Sequence, residues 1–304
     1  MGRRAAALAV VMLAALPAAV IHAQALARLG VGLSSYPEDG GTVTEGYLSW
    51  RVSDAWSVLL KARQVSTSIE DGFMEPADSL RVTGDSVTEA FLYPVRWRPA
   101  SLPLTLSLGG YLSAQDTGER GYFESETSGL LHSYVNDFSV LFYGPALGVA
   151  LDLTAGFLRL YLDLMAVPVF FFNADQAVAI EPLIALGGSH AQTGMGWPYV
   201  AVRLVPTLFG LVAPVVQYEF RAFTLERLVG KADLSGWTTE TAANSAHTLT
   251  VRLCLNLPLF ERGSFRLGYG RVFEWLSVST AADTEPRLYT ESRGTLEFSF
   301  VMSN

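Results

Sequence analysis

Six charged residues carry the chemistry this chain offers: Arg159, Asp163, Arg203, Glu219, Arg221 and Arg252. Each lies in a stretch where apolar and polar residues alternate, and each falls on the polar register. "HTLTVRLCLNLPLF" (247–260) shows the pattern, with Leu249, Val251, Leu253, Leu255 and Leu257 alternating with Thr248, Thr250, Arg252, Cys254 and Asn256. In a strand, successive side chains point to opposite faces, so this stretch has one oily face and one polar face. The other five residues lie in "FLRLYLDLMAVPVF" (157–170), "PYVAVRLV" (198–205) and "LVAPVVQYEFRAF" (211–223). Four successive strands would set all six charges side by side on one wall. Lining a narrow water path, such a wall selects ions by charge. Filling a narrower interior, it is a network of ion pairs between adjacent strands.

No other reactive side chains form a constellation. His132, His190 and His247 fall in long connecting segments or at their edges, where a histidine is ordinarily solvated. Nucleophilic catalysis needs a nucleophile, a base and an orienting group within reach of one another, and no spacing here suggests them. Asp116, Glu119, Glu124 and Glu126 gather in one acidic segment and read as solvating surface. There is no metal-ligand spacing, no glycine-rich phosphate loop and no basic nucleic-acid patch. The expectation is therefore no cofactor, no metal, no nucleic-acid partner and no enzyme, with a barrel hydrolase as a distant third reading. The net charge of −8 comes mostly from the connecting segments.

The elements that position the six charges must be strands in a membrane. "MGRRAAALAVVMLAALPAAVIHAQA" opens with Arg3 and Arg4, continues with an apolar run from Ala5 to Ile21, and ends in Ala23-Gln24-Ala25. That is the pattern of a cleaved secretory signal, so residues 1–25 are set apart and 26–304 are read as one domain. Half of all residues are hydrophobic and 16% are charged, an oily composition for an exported chain. Yet beyond the signal no run approaches the roughly 18 apolar residues of a membrane helix. Backbone in lipid must satisfy its own hydrogen bonds, and the remaining way to do so is a closed barrel. The sole cysteine, Cys254, excludes an intrachain disulfide.

Twelve alternating segments can be read along the chain, at 26–35, 45–53, 56–65, 86–97, 102–113, 139–153, 157–170, 198–205, 211–223, 247–260, 264–276 and 290–300. The connections between them alternate long and short, as in barrels with periplasmic turns on one rim and extracellular loops on the other. In 86–97, Phe91, Tyr93, Val95 and Trp97 share one face, read as the lipid face. Aromatics gather near both rims: Trp50, Trp56, Trp97, Phe157, Phe209, Phe260 and Phe265 by the short turns, and Tyr36, Tyr111, Phe138, Phe170, Phe172, Trp197, Tyr199, Phe223, Phe273 and Trp275 by the long connections. Two girdles of this kind mark the membrane interfaces. Three features strain the pattern. Arg271 falls on the apolar face, which calls for a bulge at Gly268 or Gly270, or for snorkelling. Pro94, Pro145, Pro168 and Pro214 fall inside strands, where each removes a ladder bond. The apolar connection 175–196 either folds into the barrel mouth or extends a hairpin above the membrane.

With its closing "GTLEFSF" (294–300), where Leu296, Phe298 and Phe300 alternate, the chain resembles bacterial outer-membrane β-barrel proteins. The resemblance is to the class and covers 26–304 in pattern. It implies an all-β, antiparallel up-and-down barrel of about 12 strands in the outer membrane, with lipid and the assembly machinery of that membrane as partners. On that reading the leucines of 247–260 face lipid and Arg252 faces the lumen. The function expected is a narrow porin-like channel for small hydrophilic solutes, with the six charges lining it. The alternative is a non-conducting barrel whose long loops bind external ligands. Twelve strands fall between the eight that side chains fill and the sixteen that hold water, so pore and plug both stand.

Overall fold

The computed structural model describes residues 29–38, 41–74, 79–124, 131–181, 187–230, 236–260, 263–280 and 286–302. The expected signal segment, residues 1–25, lies outside them. Fourteen strands run in chain order. They are β1 (Leu29–Glu38), β2 (Gly41–Arg51), β3 (Trp56–Met74), β4 (Ser79–Trp97), β5 (Leu104–Glu124), β6 (Leu131–Ala155), β7 (Leu158–Val167), β8 (Phe170–Glu181), β9 (Gly188–Gly196), β10 (Tyr199–Leu208), β11 (Val212–Gly230), β12 (Trp237–Phe260), β13 (Gly263–Thr280) and β14 (Arg287–Met302).

All pairings are antiparallel, and the sheet closes on itself where β1 meets β14 and β5 meets β6. The strand β6 pairs with β7 over its last residues and with β8 over its first, so β7 and β8 form one stave broken at Pro168. The strands β9 and β10 form the next stave, broken at Pro198, and pair with β8 and β7 in turn. Fourteen strands thus make a ring of twelve staves. Of the connection 175–196, the described residues 175–181 and 187–196 form this hairpin's upper half and continue the wall, as the hairpin alternative expects.

The prolines mark where the ladder is irregular. Pro206 and Pro214 face each other in the gap between the pairs Leu204↔Val216 and Leu208↔Val212, where neither can supply a ladder donor. Pro145 sits where β6 passes from β7 to β8, between Leu147↔Ala166 and Tyr143↔Phe171. Pro94 marks a bulge on β4, between Leu92↔Gly110 and Val95↔Leu108. That bulge corrects the sequence reading: only Val95 and Trp97 face outward, while Phe91 and Tyr93 are buried inside with Glu89. One extra residue moves every side chain beyond it to the other face.

Outside, exposed apolar residues form a belt. On β6 it runs from Leu153 to Leu141, and on β12 from Leu257 to Val251. Twelve residues of strand tilted as in barrels rise roughly 30 Å, close to the height of a hydrocarbon core. Trp50, Trp56 and Trp97 ring its short-turn edge, and Phe157 stacks on Phe209 with centroids 4.9 Å apart. Phe209 and Gly210 both have positive φ, 52° and 72°, the two-residue turn that matches strand twist. The upper girdle is not the one expected. Tyr143, Phe171, Trp197 and Tyr218 are exposed on the outside, whereas Tyr111, Phe170, Phe172 and Tyr199 are buried in the lumen, joined by the partly buried Phe138 and Phe223. Tyr36 and Phe260 have no described side chains. Arg271 pairs regularly with Val251 and Gly294, so no bulge turns it inward, and its side chain stays exposed on the outer face.

Above the belt the strands continue. A membrane strand needs about 9–11 residues, yet β5 has 21, β6 has 25 and β12 has 24. What the sequence suggests as the long loop 114–137 is therefore mostly strand, and it carries the wall roughly 25–30 Å past the belt. Its outer face is polar, with Asp116 exposed and Arg120 paired to Asp137 at 2.8 Å. Among the described residues no ladder joins β9 to β11. Trp197 N donates to Ala222 O at 3.2 Å, and beyond that point glutamines close the seam. Gln192 accepts from Glu226 N at 2.8 Å and donates to Glu226 O, while Gln176 accepts from Leu228 N at 2.7 Å.

Two outcomes follow. Replacing Leu108, which is 53% exposed in the middle of the belt, by Arg should cost about 2–4 kcal/mol in urea unfolding from lipid vesicles. Asp116→Arg, on the same strand and face but above the belt, should change stability by about 0.5 kcal/mol or less. Gln192→Leu with Gln176→Leu should speed hydrogen exchange at the Glu226 and Leu228 amides and leave β12 unchanged. Unaltered exchange there would mean the glutamines do not hold the seam.

Candidate functional site in the lumen

The strands β7, β10, β11 and β12 are neighbours in the ring, so the structure brings the sequence-predicted charges onto one wall. Their partners are where it departs from expectation. Of the six, only Arg159 pairs with an adjacent strand, through two hydrogen bonds of 2.7 and 2.8 Å to Asp152 at the short-turn rim. Asp163 reaches across the lumen to Lys61 Nζ at 2.5 Å. Glu219 on β11 accepts from Arg63 on β3 at 3.1 Å, and these strands are diametrically opposite in the ring of staves. Arg221 donates to Glu89 on β4 at 3.2 Å. Arg252 pairs with Glu297 on β14 at 3.6 Å, both nearly fully buried. Arg203 has no salt-bridge partner, and its Nε is buried without a hydrogen bond among the described residues.

Sequence reasoning missed the other half of this network: Lys61, Arg63, Glu89 and Glu297. Lys61 and Arg63 were readable, because they alternate with Val58, Leu60 and Ala62 on the lipid face. Glu89 was not, because the Pro94 bulge inverts the face that simple alternation gives to its strand. Glu297 alternates with Leu296 and Phe298, which the closing motif already placed outward.

Glycines make room for the buried pair on β12 and β14. A Cβ on Gly270 would strike the backbone and Cγ of Arg252, and one on Gly268 would lie 2.7 Å from Cys254 Sγ. In "GYG" (268–270) the two glycines face the lumen and Tyr269 faces out. Cys254 Sγ and Ser299 Oγ donate to Glu297 at 3.5 and 3.1 Å, so this carboxylate is fully engaged.

Aromatic rings fill what the charges leave. Phe91, Tyr111 and Tyr199 form one group, with centroids 4.8 to 5.9 Å apart. Phe142, Phe170, Phe172 and Phe223 form a second, largely edge-to-face. Arg221 lies between the groups, 5.0 Å from the Phe142 ring and 5.5 Å from Tyr199, so a cation–π contact reaches each group. Tyr111 Oη donates to Glu89 at 3.0 Å, which ties the first group to the same carboxylate.

Towards the short turns the lumen widens into a chamber of about 470 Å³, lined by these ion pairs and by Arg96, Arg203 and Arg266. A hollow of about 740 Å³ shares Tyr47, Ser49 and Arg96 with it and reaches the turns at 53–57 and 98–103. His190 lies in β9 and pairs with Glu226 at 3.1 Å, and His247 lies in β12, on the outer face, 2.8 Å from Tyr218 Oη. They were expected in long connections or at their edges; His190 lies inside a strand, and His247 lies in the strand whose edge it was expected to mark. Among the described residues no cluster of potential metal ligands occurs.

No protein-family model matches the chain, and no curated protein does. Solved structures of similar outline include the translocator domain of autotransporter NalP from Neisseria meningitidis, 10% identical over 99% of this chain and 98% of that one, with a TM-score of 0.44. The Pseudomonas putida toluene transporter TodX is 10% identical over 91% and 90%, with a TM-score of 0.46. The KdgM porin is 8% identical over 90% and 99%, with a TM-score of 0.32. Likenesses this distant bear on no residue of the lumen. The architecture itself is that of outer-membrane β-barrel proteins, oily outside and charged within.

The carboxylate of Glu89 serves Arg221, Arg63 and Tyr111 at once, so Glu89→Ala leaves buried donors without an acceptor. Unfolding should become easier by about 3–5 kcal/mol. Arg159→Ala, at the exposed rim pair, should cost about 1 kcal/mol or less. Equal losses for the two variants in urea titrations would mean the buried network contributes no more than a surface pair.

Proposed function

We propose that this chain is an outer-membrane barrel whose lumen is closed to passive solute flow in the state described. Its extended strands then stand above the outer face of the membrane as a polar surface. The observation that carries this reading is the Arg63–Glu219 chord between opposite staves, at 3.1 Å. Two side chains that meet across a diameter leave no central path. The Lys61–Asp163 and Arg221–Glu89 pairs cross beside it, and the two ring groups pack around Arg221. The narrow channel read from the sequence would need its water path through these same atoms. The polar outer face above the belt, with Asp116, Arg120 and Asp137, supports the alternative reading of a surface-exposed barrel.

Export, residence in the outer membrane and short turns on the periplasmic side belong to the same proposal. They are supported by the apolar belt, the aromatic rims and the positions of the short turns. Conductance tests it. The purified protein in a planar bilayer should give no steady current above that of the lipid. Combining Arg63→Ala, Arg221→Ala and Tyr199→Ala removes the chord and one ring face, and should produce open events. A steady current from the unaltered protein would overturn the closed-lumen reading.

A further inference from the structure

We propose that the short-turn chamber is a binding site for a small oxyanion, held by Arg203, Arg266 and Arg96. Asp163 is held by Lys61, Glu219 and Glu45 by Arg63, Glu89 by Arg221, and Glu297 by Arg252. These are all the carboxylates that line the chamber. Among the described residues three guanidiniums on the same lining make no ion pair, and the carboxylate opposite Arg203 in the ladder, Asp163, is the one taken by Lys61. Arg96 Nε donates to Ser107 Oγ at 3.3 Å, and Arg266 Nε donates to Asn256 Oδ1 at 2.7 Å. Both are single bonds to neutral acceptors, and they leave most of each five-donor fork unused. Arg203 makes no such bond, and its Nε is buried.

The three are gathered and not scattered. All three line one chamber with Tyr161, which stands diagonally across the β7–β10 ladder from Arg203, and Arg266 lies near both Glu297, already held by Arg252, and Arg203. Like charges set together in walls of low dielectric repel, and the arrangement is relieved when an anion enters. Guanidinium forks match the geometry of phosphate and carboxylate oxygens, two at a time. The volume, about 470 Å³, is that of a small-molecule site. Access is from the short-turn rim through the hollow that shares Arg96. The ligand class is therefore inorganic phosphate, or the phosphate or carboxylate group of a small solute. This inference rests on the chamber and not on the closure of the lumen beside it.

The test is titration calorimetry of the whole purified barrel in detergent, with inorganic phosphate as the first probe and a sugar phosphate as the second, at constant ionic strength set by chloride. Saturable binding is expected for at least one. Tighter binding of the sugar phosphate would assign the site to a phosphorylated solute, and equal binding to the free anion. Arg203→Gln with Arg266→Gln should weaken binding about tenfold or more. Arg120→Gln, on the outer face above the belt, should leave it unchanged. Thermal unfolding without phosphate separates a binding role from a structural one. The double variant should be as stable as the unaltered protein or more so, because it relieves repulsion. No saturable heat with either probe, or the same affinity in the double variant, would overturn the proposal. So would a double variant that loses stability without phosphate. Current through the unaltered protein would leave these outcomes as they stand, since none involves flux.

Discussion

The contact between Glu89 and Arg221 holds the lumen together. In a barrel whose outside is lipid, a charge on a wall strand has one affordable direction, which is inward. Once inward, it must find an opposite charge, because an unpaired buried ion is costlier still. Arg221 meets Glu89 from five staves away, and its guanidinium faces lie against Phe142 and Tyr199. The cation therefore joins the two ring groups that hydrophobic packing alone would leave as separate clusters. Through Glu89 it also shares a carboxylate with Arg63, whose other partners include Glu45 and Glu219, the latter on the opposite wall. A break in this pair would release one ring group, one chord and one tyrosine hydroxyl together.

Prolines decide which side chains can take part. The strand β4 carries Glu89, Phe91 and Tyr93 into the lumen only because the bulge at Pro94 shifts its register before Val95 and Trp97. The breaks at Pro168 and Pro198 do the same on adjacent staves. Val167 faces in at the end of β7 and Phe170 faces in at the start of β8, so one residue is gained between them. Without that gain Phe170 and Phe172 would face outward. The proline positions look like faults in an alternating pattern, but they turn the rings into the lumen.

This explains what could be read from the sequence and what could not. The barrel, its ring of twelve staves, the short-turn girdle of Trp50, Trp56 and Trp97, and the common wall of the six charges all follow from simple alternation. Alternation is a local property and survives until a bulge resets it. Phe91, Phe170, Phe172, Tyr199 and Phe223 were placed at the lipid face or in a girdle because aromatics near a rim suit either side of the wall. The register shift that separates the two is a backbone event at one residue. Cross-lumen partners were also out of reach. Which residue stands opposite Glu219 depends on how the whole ring closes, and no spacing between positions 63 and 219 carries that. The length of the outward strands was hidden for another reason: above the membrane both faces are polar, and alternation disappears although the ladder continues.

The two ends of the lumen are consequently built on different principles. At the long-strand end the interior is filled by rings, by the glutamine seam and by ion pairs such as Arg227 with Glu240 at 3.1 Å. At the short-turn end it is not. Carboxylates on the chamber lining are all engaged, while guanidinium donors remain, and the space beside them leads to the rim. A structure selected only to fill a barrel would be expected to balance these charges with one more Asp or Glu, as it does on β14 with Glu297. Keeping Arg203 and Arg266 on one lining, with the neighbouring Asp163 and Glu297 already paired to Lys61 and Arg252, leaves a positive field in the chamber that leads to the short-turn rim. On the closed-lumen reading proposed above, charge neutralised at one end and left over at the other fits a vessel with one working mouth better than a conduit with two.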